Sequence, residues 1–342
     1  MNKKRWLAVG LAVLVLVVSY LVPAYTPQTE EIGNVFGNVI PYRPFSSEQR
    51  IIEETITAGS SSKVAVLELD GPITSGSASP FGTVGYNHDF FIGQLEAIKN
   101  DPNVKGILFV VNTPGGAVFE SAEIHRKLTE IKAEKNIPIY VTMQALAASG
   151  GYYVSANADK IFATEETWTG SIGVIMQSFN LSGFFKKYGI AVNTITSGEN
   201  KDMASAYREW TDQDRELIQG LVDDAYEKFV KIVADGRNMD INTAKKLADG
   251  RIYTAKQALE NNLIDQIGYK EEALEALLSE NNLTGSTVFM YKQLKAPSFT
   301  DLLTTAKGKI TGELDPVMLQ VESLLKEYGN NTPRLMYLYG GE

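Results

Sequence analysis

The stretch KGILFVVNTPGGAVFESAEIHRKLTEIK, residues 105–132, contains the pattern that decides the fold. Its first part, 105–112, is a short apolar run rich in β-branched residues, as in a buried strand. Pro114 and two glycines then form a turn, and the amphipathic segment 118–132 has helical spacing. The stretch therefore predicts a strand followed by a helix, as in proteins whose parallel sheet is covered on both faces.

The same alternation continues on both sides of this stretch and assigns the chain to the α/β class, with a parallel sheet and flanking helices. A long helix is predicted to begin at Thr211, where Asp214 completes a capping box and the apolar positions from Leu217 to Val233 form one core face. The other predicted strands lie at 63–71, 138–144 and 160–164, and the other predicted helices lie at 89–100, 243–248, 255–261, 271–280 and 312–328.

Composition excludes several classes of protein. The 342 residues include 32 Lys+Arg and 41 Asp+Glu, a net charge of −9, which disfavours a dedicated nucleic-acid binder. The absence of cysteine excludes disulfides, thiol nucleophiles and cysteine-ligated metals. The two histidines, His88 and His125, lie in no HExxH pattern and are interpreted as ordinary surface or capping residues.

The N-terminal region predicts a membrane anchor. Residues 1–5 include the basic Lys3, Lys4 and Arg5 and are followed at 6–24 by an uncharged apolar segment, long enough to cross a bilayer. The positive-inside rule places the basic end in the cytoplasm and the rest of the chain outside the membrane. A cleaved signal peptide ending near Ala24 is the alternative, although its apolar region is usually shorter. Residues 25–62, rich in Pro, Gly, Ser and Thr, are interpreted as a stalk.

Two glycine-rich junctions offer chemistry at the carboxyl ends of predicted strands, the edge where open α/β sheets bind ligands. The first, NTPGGAV at 112–118, presents backbone N–H groups that can hold an oxyanion. The second, AASGGYYVSANA at 147–158, places Ser149 among small residues and adds the N–H of Gly150. Taken alone, the first junction is explained by an ordinary turn and Ser149 by a helix cap. Together they supply a nucleophile and an anion hole.

A nucleophilic serine also needs a base. The two histidines precede Ser149 and lie in no recognisable catalytic context, so a Ser-His-Asp triad is poorly supported. Lysine is the remaining nitrogen base, and it acts as one only when it is neutral. The chain has many lysines, and spacing alone does not select one.

Several separated motifs together resemble the signal peptide peptidase A family, membrane-anchored serine proteases with a Ser-Lys dyad. They occur in order between about residue 63 and about residue 294, and no motif position is visibly substituted. The matching stretches are NTPGGAV at 112–118, AASGGYYVSANAD at 147–159, TGSIGV at 169–174, TSGENKDMAS at 196–205 and RIYTAKQALENNLIDQIG at 251–268.

The resemblance implies a role for each matching residue. Ser149 would be the nucleophile and Lys201 the general base, Gly116 and Gly150 would donate backbone N–H groups to the oxyanion hole, and Ser171 would orient the lysine amine. In this family the serine and lysine of one site come from different repeats or subunits. A chain of this length therefore implies a ring-shaped homo-oligomer with shared sites.

The resemblance also implies a crotonase-like fold, related to Clp protease, for a protease domain at 63–294. The expected substrates are cleaved signal peptides and other hydrophobic peptides outside the cytoplasmic membrane, and no cofactor or metal is implied. Two alternatives stay open. An acyl-thioester enzyme could use the same glycine N–H groups, and a non-catalytic membrane ring scaffold would need Ser149 only as a cap.

The C-terminal segment at 295–342 combines the predicted helix at 312–328 with an apolar tail, LMYLY at 335–339. We hypothesise that this tail enters the peptide groove of its own or a neighbouring subunit, where it blocks the site or is trimmed. A tail that simply packs on the domain surface is the alternative.

Overall fold

The computed structural model describes residues 51–75, 86–293 and 335–338. The predicted anchor at 6–24 and the predicted helix at 312–328 lie outside these residues. None of the helices in these described ranges has the length and hydropathy of a membrane span.

The described elements follow the predicted alternation of strands and helices. The strands are β1 Ile51–Thr57, β2 Ser60–Asp70, β3 Val104–Thr113, β4 Gly115–Ala117, β5 Ile139–Ala148, β6 Lys160–Ala163, β7 Trp168–Gly170, β8 Ile175–Met176, β9 Ile252–Thr254, β10 Gln266–Ile267, β11 Ser286–Gln293 and β12 Leu335–Leu338. The helices are α1 His88–Asn100, α2 Val118–Lys135, α3 Gly150–Ser155, α4 Ser182–Lys187, α5 Asp212–Gly236, α6 Ile241–Leu247, α7 Ala255–Glu260 and α8 Lys270–Glu280.

The main sheet has the strand order β1-β11-β2-β3-β5-β6-β10. All neighbours from β11 to β10 are parallel, which confirms the predicted α/β arrangement, whereas β1 joins β11 antiparallel and makes the sheet mixed. Short β7 extends the end of β5 in parallel and pairs antiparallel with β9. Two apolar clusters cover the two faces of the sheet, one around Phe109 and one around Leu108.

The first strand of the sheet differs from the predicted organisation. The stalk was predicted to extend to residue 62, but Ile51–Thr57 form β1, and β2 already begins at Ser60. Most side chains of β1 are exposed because it lies at the sheet edge, so it lacks the apolar run of a buried strand. The folded body therefore includes residues from Ile51 onward.

Helix α5 begins as predicted, with a capping box between Thr211 and Asp214. Its predicted core face is only partly correct. Phe229 is fully buried, but Leu217 and Leu221 are 40% and 43% exposed on this chain. The first half of the helix thus leaves part of its apolar stripe without cover from the described residues of its own chain.

Candidate active site

Ser149 lies where β5 ends and α3 begins, at the carboxyl edge of the sheet. Its backbone has φ 53° and ψ −113°, a conformation that non-glycine residues rarely adopt and that often marks a functional turn. Its N–H donates to the Gly170 carbonyl at 2.8 Å, which fixes this turn. The hydroxyl is buried, has no hydrogen-bond partner among the residues that the structure describes, and does not cap the helix. The capping interpretation of this serine therefore does not hold.

Strand β4 places the backbone of Gly116 close to the turn at Ser149 and Gly150. The Gly115 carbonyl accepts from Ile73 N–H, and Ala117 N–H donates to the Ile73 carbonyl, both at 2.8 Å. Because successive residues of a strand direct their backbone groups to opposite edges, the N–H of Gly116 points to the other edge. A β-carbon at Gly116 would lie 1.9 Å from the Ile73 oxygen, so only glycine fits.

Gly150 is the first residue of α3, where an N–H has no intrahelical acceptor. A β-carbon on Gly150 would lie 3.2 Å from the Gly116 nitrogen and 2.7 Å from Ser121 Oγ. Ser121 is fully buried, and its hydroxyl also has no hydrogen-bond partner in the described part of the chain. The structure therefore brings Ser149, Gly150 and Gly116 together, an arrangement suited to a nucleophile beside two oxyanion donors.

Ser171 lies beside the same turn. The parallel pairing of β5 with β7 places Ala148 opposite Gly170, so the residues that follow these two, Ser149 and Ser171, are neighbours. Ser171 is buried, has a φ of 49°, and donates its N–H to the Arg251 carbonyl at 2.8 Å.

Within the described residues of one chain, Lys201 forms no hydrogen bond with Ser149. It lies in an exposed turn, where its backbone N–H donates to the Gly198 carbonyl at 3.1 Å. Neither the Lys201 side-chain nitrogen nor the Ser149 hydroxyl forms a hydrogen bond within the part of the chain that the structure describes. A single chain thus assembles the serine and the glycines but not the lysine.

The C-terminal strand β12 lies next to the glycines, between β4 and β8 in a three-stranded sheet. It is antiparallel to both neighbours, with Tyr337 opposite Gly116 and Met336 opposite Ile175. A β-carbon on Gly115 would lie 2.1 Å from the Tyr337 carbonyl oxygen and 2.6 Å from the Gly150 nitrogen. The carbonyl of Tyr337 is therefore close to the backbone groups that would hold an oxyanion.

The side chain of Tyr337 is 1% exposed and fills a pocket between α3 and α5. Its ring stacks on Tyr153 at a centroid distance of 4.7 Å and lies 4.8 Å from Phe229. Its hydroxyl donates to the Ala225 carbonyl at 3.2 Å, and burial raises its pKa. Each aromatic pair adds about 0.5–1.5 kcal/mol beyond the buried area. The pocket thus accepts a large aromatic side chain.

The residues that line this pocket were not predicted from the sequence. Tyr153 follows Ser149 by four positions, a helical spacing that would have placed it beside the serine, but Phe229 carried no signal beyond core packing.

The two histidines also differ from a surface or capping role. His125 packs edge-on against Tyr153, and burial lowers its pKa to about 4. His88 is buried and hydrogen-bonded to Tyr86 and Glu123.

Comparison with known proteins gives consistent matches. The sequence model of Peptidase family S49 matches residues 131–284. The chain is 44% identical over 346 aligned residues to "Putative signal peptide peptidase SppA" of Enterococcus faecium, and the match covers 100% of both chains. It is 40% identical to a "Putative protease" of Methanocaldococcus jannaschii, over 59% of this chain and 64% of the relative. A "Putative protease" of Synechocystis is 36% identical over 62% of this chain and 72% of the relative.

Proposed function

Because this chain belongs to peptidase family S49, a family of serine proteases, we propose that it hydrolyses hydrophobic peptides, including released signal peptides. In this proposal Ser149 is the nucleophile and Lys201 is the general base. The crotonase-like fold is part of the same proposal and is supported by the mostly parallel sheet and its flanking helices.

The observation that carries the proposal is the position of the chain's own tail. An extended peptide segment lies antiparallel between β4 and β8, with the Tyr337 carbonyl near Gly115 and Gly150. Addition of a peptide strand to a sheet edge is a common mode of substrate binding, in which backbone contacts give affinity and pockets give specificity. The buried aromatic pocket supports apolar side chains as the preferred substrates.

The proposed reaction follows the general course of acyl transfer. Ser149 Oγ attacks the peptide carbonyl carbon while its proton moves to the neutral amine of Lys201. The N–H groups of Gly116 and Gly150 stabilise the oxyanion. The protonated lysine then donates to the leaving amine, and water hydrolyses the acyl-enzyme with the same lysine as base. Ser171 lies next to Ser149, and we propose that its hydroxyl orients the Lys201 amine by a hydrogen bond.

We propose that Lys201 reaches Ser149 from a neighbouring subunit of a ring. The segment around Lys201 carries apolar side chains that are unusual on an exposed surface, as does the first half of α5. If these side chains were buried against a second copy of the chain, the exposed Lys201 could reach the Ser149 site of that copy. They include Phe184, Tyr188, Ile190, Ile195, Tyr207, Leu217 and Leu221.

We also propose that the folded body of the protein lies outside the cytoplasmic membrane and that residues 6–24 anchor it there. The basic residues before this segment support that orientation. Anchoring would keep the site close to the bilayer, where apolar peptides emerge, and would raise their effective concentration. Family membership favours this peptidase over the two alternatives, an acyl-thioester enzyme and a scaffold.

The test is cleavage of a fluorogenic apolar peptide by the full chain in detergent, measured over a range of pH. Cleavage is expected, with a rate that rises with pH because a lysine base must lose its proton. Spheroplasts that express the chain should cleave the added peptide without lysis. An intact peptide at every pH would contradict the peptidase proposal, and cleavage only after lysis would contradict the proposed location.

The tail gives a second prediction, that the full chain cuts its own Tyr337–Leu338 bond. Intact mass should reveal loss of residues 338–342 from the active wild type and retention of these residues in Ser149→Ala. Because the tail fills the groove, Tyr337→Gly should raise kcat/KM for an added peptide several-fold by emptying the aromatic pocket. Identical C-termini in both proteins would contradict self-trimming, and unchanged peptide cleavage in Tyr337→Gly would contradict occlusion.

A further inference from the structure

The residue that follows Lys201 is held by an arginine. The Arg208 guanidinium donates to both carboxylate oxygens of Asp202, at 2.9 Å and 3.0 Å, and to the Asp202 backbone carbonyl at 3.3 Å. Paired hydrogen bonds of this kind fix orientation as well as distance. The Arg208 side chain therefore holds the turn that carries the proposed base.

The same guanidinium also contacts the first turn of α5. It donates to both oxygens of Asp214, whose side chain is 3% exposed. Asp214 accepts a further hydrogen bond from Thr211 N–H at 2.8 Å as part of the capping box. Arg208 and these hydrogen bonds hold the pKa of the Asp214 carboxyl well below its usual range. Arg208 thus connects the turn at Asp202 to the start of a 25-residue helix.

A second set of contacts fixes the other side of the turn. The Glu209 carboxylate accepts from Asn180 Nδ2 and from Ser182 Oγ, both at 2.7 Å, at the start of α4. Arg208 and Glu209 are adjacent, so the end of this turn is attached to two helices. Within the described residues, the Lys201 side chain makes no hydrogen bond or ion pair. Its position on this chain depends on the backbone around it.

We infer that Arg208 is the positioning residue for Lys201: it fixes the lysine turn on the first turn of α5 and keeps the neighbouring Asp202 carboxylate away from the amine. The inference rests on the proposed function, in which Lys201 is the base. Without Arg208, the Asp202 carboxylate would be free to pair with the adjacent ammonium and stabilise its charged form, which cannot accept a proton. Loss of Arg208 would thus disturb both the position and the protonation of the base.

The test compares Arg208→Gln with wild type on one apolar peptide as a function of pH. Arg208→Gln is expected to lower kcat about 10- to 100-fold with KM nearly unchanged, because a catalytic group is misplaced and the groove is intact. The alkaline rise of kcat/KM should move to higher pH by about half a unit to one unit, since a free carboxylate favours the charged amine. Arg208→Lys keeps the charge but not the paired geometry, so it should restore the pH profile more than kcat.

The double variant Arg208→Gln with Asp202→Asn separates the two effects. It removes the free carboxylate, so the pH profile should return to that of wild type while kcat stays low. The matched control is Arg237→Gln, because Arg237 makes a similar paired contact with Asp265 away from the lysine turn, with distances of 3.0 Å and 2.7 Å. Arg237→Gln is expected to lower thermal stability without moving the pH profile.

Subunit mixing provides a readout that a general loss of stability would not move. In rings that combine Arg208→Gln with Ser149→Ala, the second chain supplies an intact lysine turn to the intact serine of the first. Those hybrid sites should have the wild-type pH profile. An inactive wild type would contradict the proposed function itself. An active wild type with normal kcat and pH profile in Arg208→Gln, or with the same changes in Arg237→Gln, would overturn the role of Arg208 alone.

Discussion

Replacement of Ser149 by alanine is expected to lower kcat/KM for an apolar peptide by about 10⁴-fold or more, since no nucleophile remains and the acyl-enzyme cannot form. The buried hydroxyl has no other partner in the described structure, so little folding stability should be lost with it. The measurement is fluorogenic peptide cleavage by wild type and variant at equal concentration, with oligomer size checked by light scattering.

Two further variants make this result specific to the hydroxyl group. Ser155→Ala is the matched control, because Ser155 is also buried, lies on α3, and within the described residues donates only to the Gly151 carbonyl. Its activity should stay close to that of wild type. Ser149→Gly removes the hydroxyl and also relieves the positive φ, so it should be as inactive as Ser149→Ala. Substantial activity in either Ser149 variant would exclude Ser149 as the nucleophile.

Lys201→Ala is expected to be as inactive as Ser149→Ala when each chain is assembled alone, but a mixture of the two should be active. A site formed between two chains needs the serine of one and the lysine of the other. In an equal random mixture about a quarter of the sites would have both, so activity should return to about a quarter of the wild-type value. The measurement is peptide cleavage after the two chains are expressed together.

The controls for this second prediction test the base and its origin separately. Lys201→Arg keeps the positive charge but cannot lose its proton, so it should remain inactive. Lys256→Ala removes an exposed lysine on α7 and should have normal activity. Mixed oligomers that form and stay inactive would contradict a site shared between subunits, whereas high activity in Lys201→Arg would contradict lysine as the base.

The local parts of this molecule were predictable from the sequence. Strand β3, the glycine turn and α2 follow from apolar periodicity, and the Ser149 turn follows from small residues at a strand end. These features depend on interactions between residues close in the chain. Thr211 and Asp214 form the predicted capping box for the same reason.

The remaining parts depend on contacts that a local pattern does not contain. The contact of Tyr337 with Gly116 joins residues more than 200 positions apart. The exposure of Leu221 was missed because an apolar stripe does not reveal whether its partner is the same chain or another copy. Arg208 reaches Asp214 across an irregular turn, for which no spacing rule exists.

Because the tail lies between β4 and β8, it would compete with any added peptide for the same groove. A segment tethered to its own site is present at an effective concentration on the order of millimolar, whatever the dilution of the protein. A free peptide must exceed that concentration, or bind more tightly than the tail, before it is processed. Until it is trimmed, the tail would therefore exclude peptides that are present at low concentration, and a chain that has lost residues 338–342 would cleave them at lower concentrations.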